Sequence, residues 1–461
     1  MFVSRGYLPW ITTFLVLFAW LATGRAWGQQ PAATSWPESP VSRLPPTATT
    51  YGENTWQESL EDAWQVALAS DQRVQANRWN VASAESTLSA AEAERYPSMK
   101  LGGQYYALSE RPTFAMSLGP LAVQTPIADQ NALGARAIVS QPLYTSGRIT
   151  SGINAANENV CANQFDLERT RLDVKMNVAE IYVVSLRAAR LIEVTDSKVI
   201  SLEAHTTDVG SFFEKGLVSR NDLLAAQVAL ADSRQQAMQA HNMLQVAYAA
   251  YNRALGRDLS SPVNLADLQI RGAPADVDEL TRQALQTRPE IAGLSAQARA
   301  LREQAAGVQA KKGPQVALEG GYLYQQNQSI DPNGLAAVML GVEWTPMDSG
   351  RISHQASALS EKAEAVIRIR KDTESMIALE VRQKWLDLQT ALERIKVTQQ
   401  ATAQADDNLR VARDRYQNQV GTNTEVLDAE TLRVQAYTNF YNSTYETVLA
   451  ELRLRRAVGN L

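Results

Sequence analysis

Hydrophobic positions along this chain switch between two periods. After Pro97, the residues Met99, Leu101, Gly103, Tyr105 and Ala107 alternate with Lys100, Gly102, Gln104 and Tyr106, which predicts a half-covered strand. After Gly313-Pro314 the pattern returns: Val316, Leu318, Gly320, Tyr322 and Tyr324 alternate with Gln315, Ala317, Glu319, Gly321 and Leu323. A partner strand follows, with Val338, Leu340, Val342 and Trp344 on one side and Met339, Gly341, Glu343 and Thr345 on the other. Its counterpart in the first half, Ala135 to Tyr144, alternates poorly and is placed by analogy. Two hairpins are expected, about 98–144 and about 314–345. One apolar face, one polar face and aromatics near the strand ends make a membrane-barrel pattern. Lys100, Arg136, Glu319 and Glu343 would then line a lumen, with Trp344, Tyr105, Tyr322 and Tyr324 in an aromatic girdle. The alternative is an ordinary half-buried hairpin.

The rest of the chain has helical spacing. Val174, Val178, Ile181, Ser185, Ala188, Ile192, Thr195, Val199 and Leu202 follow steps of four and three, a heptad seam. Ile377, Val381, Lys384, Leu388, Ala391, Ile395, Thr398, Thr402 and Ala405 repeat it. With no proline from Ser146 to Gly210, the first of these helices would be roughly 95 Å long. Return helices are expected from about Ser219 to Gly256 and from about Thr422 to Gly459, each ending at glycine. Shorter Ala-rich helices, about 56–95 and about 276–312, precede the hairpins and stop at Pro97 and at Gly313-Pro314.

These elements occur twice because the chain is an internal duplication. An offset of 203 pairs Ser146-Gly147-Arg148-Ile149 with Ser349-Gly350-Arg351-Ile352, Val178 with Val381, Phe213 with Tyr416, and Ala254-Leu255-Gly256 with Ala457-Val458-Gly459. Upstream, an offset of 217 pairs Leu68 with Leu285, Pro97 with Pro314 and Tyr105 with Tyr322. The difference of 14 falls mainly between the paired segments, where the first copy has the longer loop. The repeats are 56–257 and 276–461, joined by a linker over 258–275.

Composition narrows the compartment. Arg5 precedes an apolar run from Leu8 to Ala22, and Ala26-Trp27-Gly28 offers small residues before a cut at Gln29. Residues 1–28 are expected to be a secretory signal peptide; an N-terminal anchor is the alternative. Residues 29–55 are rich in Pro, Ser and Thr and are expected to be an extended tether. The formal charge is −5, and −7 once Arg5 and Arg25 leave with the leader, which argues against a nucleic-acid partner. The lone Cys161 allows no intrachain disulfide and no lipidation at the mature N-terminus. His205, His241 and His354 have no metal-ligand spacing, and the sequence holds no phosphate-cradling loop or nucleophile elbow, so no catalytic residue and no cofactor is assigned.

Four strands cannot close a barrel on their own, and lipid-exposed edges are not tolerated. Two chains would give a filled eight-stranded barrel; three would give twelve strands and a lumen. The expectation is a mainly α chain with a β-barrel portion, which as a homotrimer encloses a hole. A non-conducting periplasmic coiled-coil scaffold or adhesin is the alternative, and a soluble helical binding module a more distant one.

Four segments carry a family likeness. Gln141-Pro142-Leu143-Tyr144-Thr145-Ser146-Gly147-Arg148 and Thr345-Pro346-Met347-Asp348-Ser349-Gly350-Arg351 look like strand-to-helix exits. The turns Phe213–Asp222 and Tyr416–Ala429 look like helix–turn–helix tips. With these in order, the whole mature chain resembles the TolC-like outer membrane efflux protein family. The resemblance implies a trimeric 12-stranded barrel in the outer membrane of a Gram-negative-type bacterium, among lipid and lipopolysaccharide. It also implies a long α-helical periplasmic tunnel. Such ducts are passive exits for tripartite efflux pumps or type I secretion systems, meeting a periplasmic adaptor and through it an inner-membrane pump or ABC exporter.

The resemblance places Gly216, Leu217, Val218, Ser219, Val420, Gly421 and Thr422 on the tip that meets the adaptor. It places Glu425 and Asp428 on an acidic ring at the entrance; spaced three apart, they share a helix face. An ordinary acidic helix start is the alternative. Asp222 and Tyr416 fall on positions whose hydrogen bond holds the tip closed in a relative. Phe213 and Tyr416 either anchor a partner or pack the helix ends together. Two residues depart from the family pattern. Gln419 stands where a glycine is usual, so the second tip is expected to turn at Gly421. Gly421 itself stands where a basic gate residue is known, so half of that closing lock is missing.

Overall fold

The computed structural model describes residues 57–118, 121–270, 276–327 and 331–461. The expected leader and tether lie outside the described residues. In chain order the elements are α1 (Leu60–Ser70), α2 (Gln72–Ala93), β1 (Ser98–Ala107), β2 (Thr113–Leu118), β3 (Leu121–Pro126), β4 (Asn131–Tyr144), α3 (Arg148–Glu214) and α4 (Arg220–Ala254). The second half gives α5 (Val277–Thr287), α6 (Pro289–Gln309), β5 (Gln315–Gln325), β6 (Gly334–Glu343), α7 (Arg351–Gln417) and α8 (Asn423–Val458). The long helices α3 and α7 each contain 67 residues, roughly 100 Å of rod. No described helix is long and apolar enough to cross a membrane.

The helices expected unbroken at 56–95 and 276–312 are each split. Asp71 ends α1 and caps α2, its carboxylate accepting from Arg73 N (2.8 Å) and Val74 N (3.3 Å). Arg288, the equivalent at offset 217, has nearly the same extended backbone, and Pro289 starts α6 at the position that needs no N–H. A side chain that competes for the backbone breaks the first copy, and a missing donor breaks the second.

Strands β1–β4–β5–β6 form one antiparallel sheet in that order. The register places Met99 against Val139, Leu101 against Ala137 and Tyr105 against Leu133. It continues through Val139–Gly320 and Ala137–Tyr322 to Gly320–Val338 and Leu318–Leu340. One apolar face therefore runs unbroken across all four strands. Among the described residues nothing covers it: Leu101 is 73% exposed and Val342 63%. Lys100, Arg136, Glu319 and Glu343 share the opposite face by the same register. The partner strand placed at 135–144 begins earlier, at Asn131, and a bulge lies between Pro142 and Tyr144. The longer first loop folds into its own two-stranded sheet, β2–β3.

The helical part packs around a cluster of Leu60, Ala67, Val178, Tyr182, Tyr251 and Leu255 with Tyr445 and Leu452. A second cluster holds the equivalents Ala284, Val381 and Val458. The duplication extends to single hydrogen bonds. Ser70 Oγ donates to Leu255 O (2.8 Å), and Thr287 Oγ1 donates to Val458 O (2.6 Å). The linker is stitched to the start of the fold by a parallel bridge between Glu58 and Leu265. Arg257 clamps the buried Glu58 carboxylate at 2.6 and 2.9 Å. Tyr182 Oη lies 2.7 and 2.6 Å from the carbonyls of Glu58 and Ala266.

Arg257→Ala leaves the Glu58 charge buried without its partner, a change that costs about 3–5 kcal/mol. Limited proteolysis within residues 258–270 should accelerate accordingly. Unaltered cleavage would show that the clamp does not hold the linker.

Candidate functional site

The site is the end of the helical part where α3 turns into α4 and α7 into α8. Both turns use the same backbone scheme. Gly216 N donates to Phe213 O (2.9 Å) and Leu217 N to Phe212 O (2.9 Å). At offset 203, Gln419 N donates to Tyr416 O (3.0 Å) and Val420 N to Arg415 O (2.9 Å). Gly216 takes φ +73°, and Gln419 takes φ +60°. The expected shift of the second turn to Gly421 is therefore corrected. Gln419 adopts the left-handed conformation itself, because the hydrogen bonds that end α7 demand it at that position. Gly421 has another constraint: a Cβ there would come within 3.0 Å of Arg415 Cβ and 3.1 Å of Tyr416 N.

The return helices start from side-chain caps. Ser219 Oγ accepts from Asp222 N (3.2 Å), and Asp222 Oδ2 accepts from Ser219 N (3.1 Å) and Oγ (2.7 Å), a complete capping box. Thr422 Oγ1 accepts from Glu425 N (3.3 Å). The Glu425 carboxylate lies 3.7 Å from Arg415 instead of closing a box. Asp428 is exposed, on the helix face it shares with Glu425. Leu217 and Val420 are exposed at the turns, whereas Val218 packs inward with Leu223 and Phe212.

The hydrogen bond expected between Asp222 and Tyr416 is not formed within the chain. Asp222 is engaged by its own cap, and the buried Tyr416 hydroxyl has no partner among the described residues. Burial, then the nearby Asp222 and Asp208 carboxylates, pushes the Tyr416 hydroxyl above its usual range, so it stays protonated. Tyr416 is 5% exposed and packs with Val209, Ala226, Leu409 and Val426; its equivalent Phe213 is 38% exposed.

Sequence reasoning missed the polar groups behind this cluster. His205 Nε2 lies 2.7 Å from Asn423 Oδ1, and Asn423 Nδ2 donates to Asp222 O (3.1 Å). The His205 ring meets Tyr416 edge-on at 5.1 Å. Further along, the 1%-exposed Glu430 accepts from Ser201 Oγ (2.5 Å) and lies near Arg413 and Arg433. A signal was available: these positions break the repeat, since Asn423 and Glu430 stand opposite Arg220 and Gln227.

At the other end of the long helices, the exits also share one geometry. Ser146 and Gly147 have φ of 51° and 91°, and Ser349 and Gly350 have 54° and 87°. Thr145 Oγ1 accepts from Ile149 N (3.5 Å), and the equivalent Asp348 accepts from Ile352 N (2.7 Å). Arg148 pairs with Glu94, Arg351 starts α7, and Pro346 follows β6.

A sheet with one membrane-ready face, continued by rods of roughly 100 Å, is the architecture of an outer-membrane channel-tunnel subunit. The model of the "Outer membrane efflux protein" family matches residues 63–257 and 280–460, and the chain belongs to that family. It is 24% identical over 350 residues to the outer membrane protein TolC of Vibrio cholerae, covering 72% of this chain and 78% of that one. Its fold matches VceC from Vibrio cholerae with a TM-score of 0.73 at 19% identity, covering 87% of this chain and 96% of VceC. The Campylobacter jejuni CmeC channel also aligns with a TM-score of 0.73, at 15% identity and 92% coverage of both chains. The protein is an outer-membrane efflux channel with its helices in the periplasm, and it is not an enzyme.

A non-glycine residue held left-handed costs about 1–2 kcal/mol, which glycine largely avoids. Gln419→Gly should therefore raise amide protection in the second turn, and Gly216→Gln should lower it in the first by a similar factor. Equal protection in both variants and the wild type would show that neither turn carries this cost.

Proposed function

We propose that three copies of this chain assemble into a closed duct that carries solutes or polypeptides out of the periplasm, driven by an inner-membrane partner. The observation that carries this reading is the four-stranded sheet with one apolar face and two edges, β1 and β6, that are unpaired among the described residues. An open edge in hydrocarbon leaves backbone groups without partners, each costing several kcal/mol. Three copies pair every edge and give twelve strands. The small, partly polar seams of α3 and α7 suit close packing around a wet tunnel.

In this assembly the turns Gly216–Ser219 and Val420–Thr422 form the docking tips for a periplasmic adaptor, which joins the duct to a pump or an ABC exporter. Leu217 and Val420, exposed at the two turns, supply apolar contacts for the adaptor. Glu425 and Asp428 from three chains gather six carboxylates about one axis, a field that favours cations. Asp222 and Tyr416 shape the entrance as cap and core rather than as a bonded pair.

Single-channel recording on the purified assembly tests this. Conductance is expected, with cation preference that falls severalfold in Glu425→Ala/Asp428→Ala. An assembly that stays silent after the tip turns are loosened by substitution would sink the duct. Unchanged selectivity in the double variant would remove the acidic ring alone.

A further inference from the structure

At the tip the two helical hairpins meet through side chains, and the contacts there are polar as well as apolar. Among the described residues, one junction touches all four long helices. His205 comes from α3, Asn423 opens α8, the Asp222 carbonyl belongs to α4, and Tyr416 ends α7. We propose that this His205–Asn423 junction is the latch that fastens the second helical hairpin to the first at the tip, and that acidification of the periplasm releases it. The proposal rests on the reading of the tip as the entrance of a duct.

The geometry fixes the chemistry. The Asn423 amide is oriented by Nδ2, which donates to the Asp222 carbonyl, so Oδ1 faces the imidazole as an acceptor. His205 must therefore carry its proton on Nε2, and a second proton can go only to Nδ1. That proton leaves the 2.7 Å bond in place but puts a full charge on a ring that is 5% exposed. The charged groups around it have partners of their own, although Glu430 Oε1 accepts no hydrogen bond among the described residues. Arg413 of α7, which opposes protonation, bonds Ser201 and lies 3.4 Å from Glu430. Glu430 of α8 and Asp208 of α3 favour protonation. Glu430 is engaged by Ser201 and its two arginines, and Asp208 accepts from Gln417 (3.5 Å). From α4 the junction meets the Asp222 carbonyl, with the Asp222 carboxylate nearby but held in the cap with Ser219, and from α7 also the neutral Tyr416 ring.

Burial, more than any of these, holds the imidazole below its usual value of 6.5. With the latched value depressed, a released His205 binds protons more readily than a latched one. The latch is therefore at full strength above about pH 6.5. It weakens as pH falls from there toward the depressed value, and weakens no further below it.

The test uses the full chain in its native assembly. Amide exchange at 205–226 and 412–430 is followed from about pH 7.5 to about pH 5, normalised to residues 176–190 of α3. Relative protection of the tip should drop on acidification, by up to about tenfold per pH unit just below 6.5. His205→Gln, which keeps a neutral donor, should show no such drop. Asn423→Asp places a carboxylate against the ring and should reverse the sign, tightening the tip in acid. A wild-type tip indifferent to pH, the same drop in His205→Gln, or loosening of Asn423→Asp in acid would each overturn the latch. Conductance separates the two readings: a non-conducting assembly with His205-dependent exchange sinks the duct and supports the latch.

Discussion

The constraint on which the structure depends is the hydrogen-bonding capacity of two strand edges. Within β1–β4–β5–β6 the inner edges are paired by neighbouring strands, and the outer edges of β1 and β6 have no partner strand among the described residues. In water such edges would invite aggregation; in hydrocarbon they cannot stand at all. The apolar face that crosses all four strands rules out water as the medium. The sheet's four strands come two from each repeat, and each hairpin runs directly into a long helix. The helices set the spacing and tilt at which the two hairpins meet in one sheet.

That division of labour explains where the two copies stay alike. Both hairpins must hand the chain from strand to rod in the same way, and they do it with the same pair of left-handed residues, Ser146-Gly147 and Ser349-Gly350. Both return helices end against the break between the short helices, and Ser70–Leu255 and Thr287–Val458 are the same bond made twice. The hairpin loops face no such demand. There the first copy carries the additional β2–β3 ribbon, the physical content of the change from offset 217 to 203.

Much of this was legible because it is periodic. Period two located β1, β5 and β6 and the face each of their residues shares; β4 came from the repeat, and β2 and β3 were not found. The steps of four and three found Val178 and Val381 at the centres of their clusters. What escaped was local or long-range. The break at Asp71 depends on one carboxylate choosing the backbone over solvent, and a helix-friendly composition hides it. Its partner at Arg288-Pro289 was in plain view, since the residue before proline avoids helical geometry. The turn at Gln419 was misplaced because residue preference was weighed above the hydrogen bonds that terminate α7. The pair expected between Asp222 and Tyr416 ignored the capping box, which takes the carboxylate first. His205 and Asn423 are 218 residues apart, and no spacing rule joins them.

The seam between α3 and α8 shows how the same chain can be rigid at one end and separable at the other. Near the linker, Val183 and Leu186 join Tyr445, Val448 and Leu452 in a continuous apolar cluster. Parting those surfaces would expose hydrocarbon, at roughly 25 cal/mol per Å². Toward the tip the contacts turn polar: Ser197 with Arg433, Ser201 with Glu430, His205 with Asn423. Groups of this kind can exchange one hydrogen-bond partner for another when water enters, so parting them costs less than exposing a hydrocarbon surface of the same extent. The cluster around Tyr416 and Val426 adds an apolar term there. The second hairpin is therefore held firmly at its root and lightly at its end. In a rod roughly 100 Å long, small rotations at the root become large displacements at the turns.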